Sequence, residues 1–206
     1  LVDASVAVTG AFMAARHAAQ LLAGDARIVL VLPRGSTIPE TELRDFWRVD
    51  YVPMVTPSKR LSALLGYFPA LFIGSWHLKQ RMRRDGAAHL LLNDFYLLHG
   101  TVVRLLGYRG RIVSWIRGDP RRFAGFLAAP MLRLARRSAD RMVAVSAYVT
   151  SLLPPGISAD ILYDCYTGQP RTPKQWNAED EKIFVYVGNY IQGKGQDVAL
   201  RTFAKI

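Results

Sequence analysis

Short, nearly unbroken apolar runs alternate with helical patterns along this chain, and no other feature restricts its fold as much. Runs at 26–33 (ARIVLVLP), 88–93 (AHLLLN), 110–116 (GRIVSWI), 140–146 (DRMVAVS) and 159–164 (ADILYD) read as strands. Such runs are buried on both faces, as in a parallel sheet covered by helices on either side. Helical patterns fall between them, at 11–23, 59–83, 95–106, 121–138 and 147–153. The alternation predicts a Rossmann-like, doubly wound parallel α/β sheet. Thr9-Gly10 is a capping signal for the first helix. The strand that should precede that helix is weak or missing, so the natural chain is expected to begin before Leu1.

The chain has 206 residues, enough for one domain and part of another. A polar, proline-bearing stretch at 169–181 reads as a linker. It separates a first domain, 1–168, from a closing segment, 182–206, that starts a second, incomplete one. In that segment a strand at 183–187 is followed by Gly188-Asn189, then IQGKGQD, then a helix from about Gln196. Glycines at such a turn permit positive φ and close backbone approach. The helix N-terminus and Lys194 together suit a phosphate. A tight turn carrying a solvated lysine is the competing reading.

The formal net charge is +11. Nucleic acid, an anionic membrane surface or a phosphorylated substrate would each fit that excess. Nucleic acid is not expected, because no recognition motif or stacking pattern accompanies the charge. Segments 58–84 and 120–138 mix Lys and Arg with Leu and Phe. They read either as surfaces for an anionic membrane or as core-facing helices with solvated charges. Pro130 is expected to kink or interrupt the second of them. The apolar run at 64–76 is too short and too interrupted to span a bilayer, and the first residues do not form a leader. Cys165 is the only cysteine, which excludes an internal disulfide and a cysteine-rich zinc site. The four histidines show no metal-ligand spacing.

Several stretches together resemble a known family. FVYVGNYIQGKGQDVALRTFAKI resembles the opening of the C-terminal domain in GT-B glycosyltransferases of the large retaining family 4, with its strand, V-G-R, E-K-G and A-F-A helix. Val187, Gly188, Lys194, Gly195, Phe203 and Ala204 match. SADRMVAVSAYVTSLL is similar to the family's A-D-x-V-V-A-V-S stretch. LLNDFYLLHGTVVRLLGYRGRIVSWIRGD resembles its H-x-H…LLG…H-G-D region. The resemblance implies a GT-B N-terminal acceptor domain followed by the first strand-helix unit of a donor domain. It implies an enzyme that moves a sugar from a nucleotide-sugar to a glycan or lipid-linked acceptor, with retention and without a metal or other cofactor. Cell-envelope or polysaccharide biosynthesis in a bacterial cytoplasm, peripheral on the inner membrane face, is the implied setting. The alternatives are a non-catalytic nucleotide- or sugar-binding relative and a basic membrane-surface module.

Site residues follow from both lines of reading. By resemblance, Lys194 holds the leaving diphosphate, with Gly10, Gly188 and Asn189 around the donor. Asn189 stands where the family carries an arginine, so half of the expected cationic clamp is absent. Arg117 follows the strand at 110–116 and stands where the family has a histidine. It is a catalytic candidate with Lys194, able to grip a phosphate or acid bidentately. Asn93, Asp94 and Asp119 are acceptor-binding candidates at strand ends. Asp94 equally reads as a cap for a helix starting at Phe95, and Ser146 as the cap of the helix at 147–153. The pieces of the donor domain beyond 206, including the family's E-x7-E segment, are not in the sequence. Weak or no turnover is expected of residues 1–206 alone.

Overall fold

The computed structural model describes residues 1–55, 61–164 and 195–204, with the side chains of 61–65 and 123–124 excepted. The chain divides into two units, Leu1–Thr167 and Gly168–Ile206. In the first unit the elements run α1 (Gly10–Leu22), β1 (Val29–Pro33), α2 (Glu40–Leu43), β2 (Arg48–Val52) and α3 (Leu61–Arg84). Next come β3 (His89–Leu92), α4 (His99–Leu105), β4 (Arg111–Ile116), α5 (Pro120–Ala124) and a 3-10 turn (Gly125–Leu127). The unit closes with α6 (Ala128–Ser138), β5 (Arg141–Ala144), α7 (Ala147–Ser151) and β6 (Asp160–Ile161).

All the strand pairings are parallel: β1 with β2, and β3 through β6 side by side in order. Val2 joins the two groups. It bridges in parallel to Val31 of β1 on one side and to Leu92 of β3 on the other. Its N–H donates to the Leu91 carbonyl (2.8 Å) and its carbonyl accepts from the Asn93 N–H (2.9 Å). The strand expected before α1 is therefore present as residues 1–3, in the middle of the sheet. Three residues are too few to show a side-chain period. β2 was also not anticipated: RVDYV is polar at alternate positions, as befits an edge strand.

The sheet thus runs β2, β1, residues 1–3, β3, β4, β5, β6, a Rossmann-like doubly wound order. Its two faces carry separate cores. Leu30 and Leu32 pack with Phe12, Ala19, Ile38 and Phe46, while Val31 packs with Leu71, Leu78 and Met82. This alternation follows from the two-residue period of a strand.

Helix boundaries respond to local chemistry. Thr9 caps α1, its Oγ1 accepting from the Phe12 N–H at 3.1 Å, and Ser146 caps α7 in the same way from Val149. The helix expected at 121–138 is two helices, broken where Gly125 takes φ +53°. Pro130 lies in the first turn of α6 and breaks nothing, because the N–H it lacks has no intrahelical partner there. The helix expected from Phe95 starts instead at His99, after a turn.

In the second unit the described element is α8 (Gln196–Phe203). Gly195 heads it at φ +81°, the positive φ expected of a glycine at this turn. The strand at 183–187, the linker at 169–181, Cys165, Gly188, Asn189 and Lys194 lie outside the described residues.

Candidate functional site

The chain moves outward from residues 1–3 through β1 and β2, then returns to the other side of residues 1–3 as β3. Open α/β sheets bind ligands at such a reversal, beyond the carboxyl ends of the strands. The residues just past those ends here are Asp3, Asn93-Asp94 and Arg117, with the start of α1 beside them.

Asn93 ties these elements together. Its Nδ2 donates to the Asp3 carboxylate and to the Ala11 carbonyl at the start of α1 (3.0 Å). Its Oδ1 accepts from Arg117 Nε at 2.7 Å. A buried amide satisfied on both ends holds three segments in fixed relation. Asp3 also accepts from the Ser5 N–H at 2.6 Å, and Ser5 Oγ shares a hydrogen bond with Thr9 Oγ1. The cap of α1 is thereby linked to the same network.

Arg117 has 6% of its side chain exposed. Its guanidinium stacks on Trp115, 3.5 Å from the ring centroid, and its Nη1 donates to Asp164. With Nε on Asn93, two of the three guanidinium nitrogens are committed. Nη2 is left buried and without a partner. The bidentate grip expected of this arginine is therefore closed off, and what it retains is one donor nitrogen. Burial lowers its pKa, with Asp164 opposing that shift.

Asp94 is buried beside this cation, and burial pushes its carboxyl up to about 7. The backbone N–H groups of Phe95 (2.8 Å) and Arg117 pull the other way and do not cancel the burial. Asp94 thus stabilises a turn and does not cap α4, correcting the helix-cap reading. Such a group exchanges a proton near neutrality.

Asp119 is drawn away from this cluster. It caps α5 by accepting from the Arg121 N–H at 3.0 Å, and its carboxylate faces the Arg121 and Arg122 side chains. Gly10 is the first residue of α1, and a Cβ there would meet nothing within 4 Å. The backbone at this helix N-terminus is therefore open to close approach.

Two participants were not recognised in the sequence. Asp3 belongs to the short strand at residues 1–3, which no apolar run marks. The pairing of Asp164 with Arg117 spans 47 positions, a relation no local pattern carries.

A cavity of about 390 Å³ opens elsewhere, near the amino ends of β1 and β3, walled by Ala19, Leu22, Leu78, Met82 and Leu90. Around it Arg81 pairs with Asp50 (3.2 Å) and Arg48 with Asp50 and Asp85, while Arg27 lies over the Trp47 ring. It lies at the amino ends of the strands, whereas Arg117 lies at a carboxyl end, so the two belong to different sites. Among the described residues no group of His, Cys, Asp and Glu is placed to hold a metal ion. No described helix is long and apolar enough to cross a membrane. No protein-family model matches the chain, and no curated protein matches it significantly.

Proposed function

We propose that this chain forms the acceptor-side domain and the start of the donor domain of a retaining GT-B glycosyltransferase. The observation that carries the proposal is the junction between residues 1–3 and β3. It gathers the open N-terminus of α1 at Gly10, the proton-exchanging Asp94 and the single unpartnered nitrogen of Arg117. The motif resemblance supplies the reaction class. Transfer from a nucleotide-sugar leaves a nucleoside diphosphate whose charge grows in the transition state, and fixed cations and backbone N–H groups stabilise it.

In this reading the amides at Gly10 face the donor pyrophosphate, and Lys194, Gly188 and Asn189 belong to the donor-binding set that the family resemblance implies. Arg117 donates one hydrogen bond to an oxygen of the sugar or acceptor, positioned by Asn93. Asp94 faces the acceptor side, and Asp119 acts indirectly by fixing the turn after Arg117. No metal or cofactor enters the reaction as proposed. The acceptor is a glycan or a lipid-linked chain in polysaccharide or envelope synthesis, met at the inner face of a bacterial membrane.

Calorimetric titration with nucleoside diphosphates and their sugars tests the reading. Micromolar binding of one base by the full-length natural chain, lost in Lys194→Ala, is expected. No binding to any of them overturns it.

One observation favours a second reading, a non-catalytic relative. Arg117, where the family has a histidine, is bound into the structure by Asn93, Asp164 and Trp115. Tight nucleotide-sugar binding without transfer to any acceptor by the full-length chain would select it.

A further inference from the structure

Helix α3 buries one face and shows water an apolar one. Tyr67, Leu71, Leu78 and Met82 lie in the core. Phe68 (62% exposed), Phe72 (55%), Ile73 (47%) and Trp76 (46%) point outward. At 100° per residue, Phe68, Phe72 and Trp76 fall on one line along the outer face, with Ile73 beside it. Lys79 and Arg83 continue that line toward the helix end, and Lys79 sits 5.9 Å from the Trp76 ring centroid. Four large apolar side chains side by side on a water-facing helix mark an interaction surface.

The charge on the helix identifies the partner. Leu61–Arg84 contains no Asp or Glu, while Lys79, Arg81, Arg83 and Arg84 are all basic. Arg81 turns inward to Asp50 and Arg84 lies 3.8 Å from Asp85, so Lys79 and Arg83 provide the outward charge. An acid-free helix with an aromatic stripe running into cations matches the boundary of an anionic bilayer, where rings enter the acyl region and cations meet the headgroups. Helix α6, the other basic-apolar segment, differs. Met131, Leu132 and Ala135 are buried against the core, and its arginines face water.

We infer that the outward face of α3, centred on Phe68, Phe72 and Trp76, docks the protein on an anionic lipid surface. This gives an address to the membrane setting of the proposed function and does not depend on donor binding.

Vesicle cosedimentation of the chain tests the inference. The lipids are phosphatidylcholine alone and phosphatidylcholine with about one-third phosphatidylglycerol. The chain should sediment with the anionic vesicles and much less with the neutral ones. Phe68→Ser/Phe72→Ser, which keeps the net charge, should weaken that binding by about tenfold or more. Lys79→Gln/Arg83→Gln should weaken it and reduce its dependence on salt. These positions are on the surface, so unchanged thermal melts verify the fold of each variant.

Wild-type protein that ignores anionic vesicles overturns the inference. So does a Phe68→Ser/Phe72→Ser variant that binds as wild type does, because general charge would then suffice. A concentration-dependent dimer abolished by the same variant also overturns it, since a second copy would then cover the stripe. Failure here leaves nucleotide titration unaffected, so this inference and the proposed reaction fail separately.

Discussion

Arg117 lies over the indole of Trp115, its Cζ 3.5 Å from the ring centroid, at the carboxyl end of β4. Residues two apart at a strand end share a face, which brings the pair together. The stack, Asn93 and Asp164 hold the guanidinium on three sides. A half-exposed carboxylate on one side and a buried amide on the other make this an anchor for the turn after β4.

Arg117→Ala should therefore destabilise the protein by about 1–3 kcal/mol, because it strands the buried Asn93 Oδ1 and unstacks Trp115, while the half-exposed Asp164 carboxylate returns to water. Arg117→Lys should recover little, since a single ammonium cannot replace the planar fork. Urea unfolding of the two variants checks both statements.

The raised pKa of Asp94 makes stability depend on pH. Its carboxyl titrates near 7 when folded and near the ordinary carboxylate value when unfolded. The unfolded state then binds fewer protons between about pH 4 and 7, so this group's contribution falls as pH rises across that window. Asp94→Asn should stabilise the protein relative to wild type at pH 8 and gain nothing near pH 4. Urea melts at the two pH values measure the difference.

His99 acts with the opposite sign. It is buried with both ring nitrogens unpartnered, and burial lowers its pKa to about 4. The unfolded imidazole takes up its proton near pH 6.5. Stability from this group is therefore complete above that pH and is lost as pH falls toward 4. His99→Gln should flatten the acid limb of a stability-versus-pH curve measured between pH 4 and 7.

Gly74 sets how closely α3 approaches the loop after β2. A Cβ at this position would lie 2.3 Å from the Pro53 carbonyl oxygen, and backbone cannot move aside cheaply. Gly74→Ala should cost about 2 kcal/mol or more despite the better helix propensity of alanine. A drop in thermal midpoint of several degrees would record it.

Thr9→Ala and Ser146→Ala each remove a side-chain acceptor at a helix start. Each should cost about 1 kcal/mol. The Thr9 change also frees Ser5, so its effect should be the larger in urea unfolding.

The parallel α/β class was legible because strands buried on both faces of a sheet must be largely apolar, and 88–93, 110–116 and 140–146 each carry such a run. The caps at Thr9 and Ser146 were legible because a cap bond spans only three residues. Asn93, Asp94 and Arg117 were legible as strand-end residues. What each of them does depended on partners distant in sequence. Residues 1–3 carry too few side chains to show a period, yet they occupy the middle of the sheet through backbone bonds to β1 and β3. Whether a basic, aromatic segment faces water or core was likewise undecidable from composition. Packing buries the apolar side of α6, but α3 has enough hydrophobic residues to fill the core with one face and present Phe68, Phe72 and Trp76 on the other. Sequence patterns determine which elements form because those patterns are local. The tertiary structure decides which carboxylate meets Arg117 and which helix face stays wet, because those outcomes depend on contacts between residues brought together only by the sheet order.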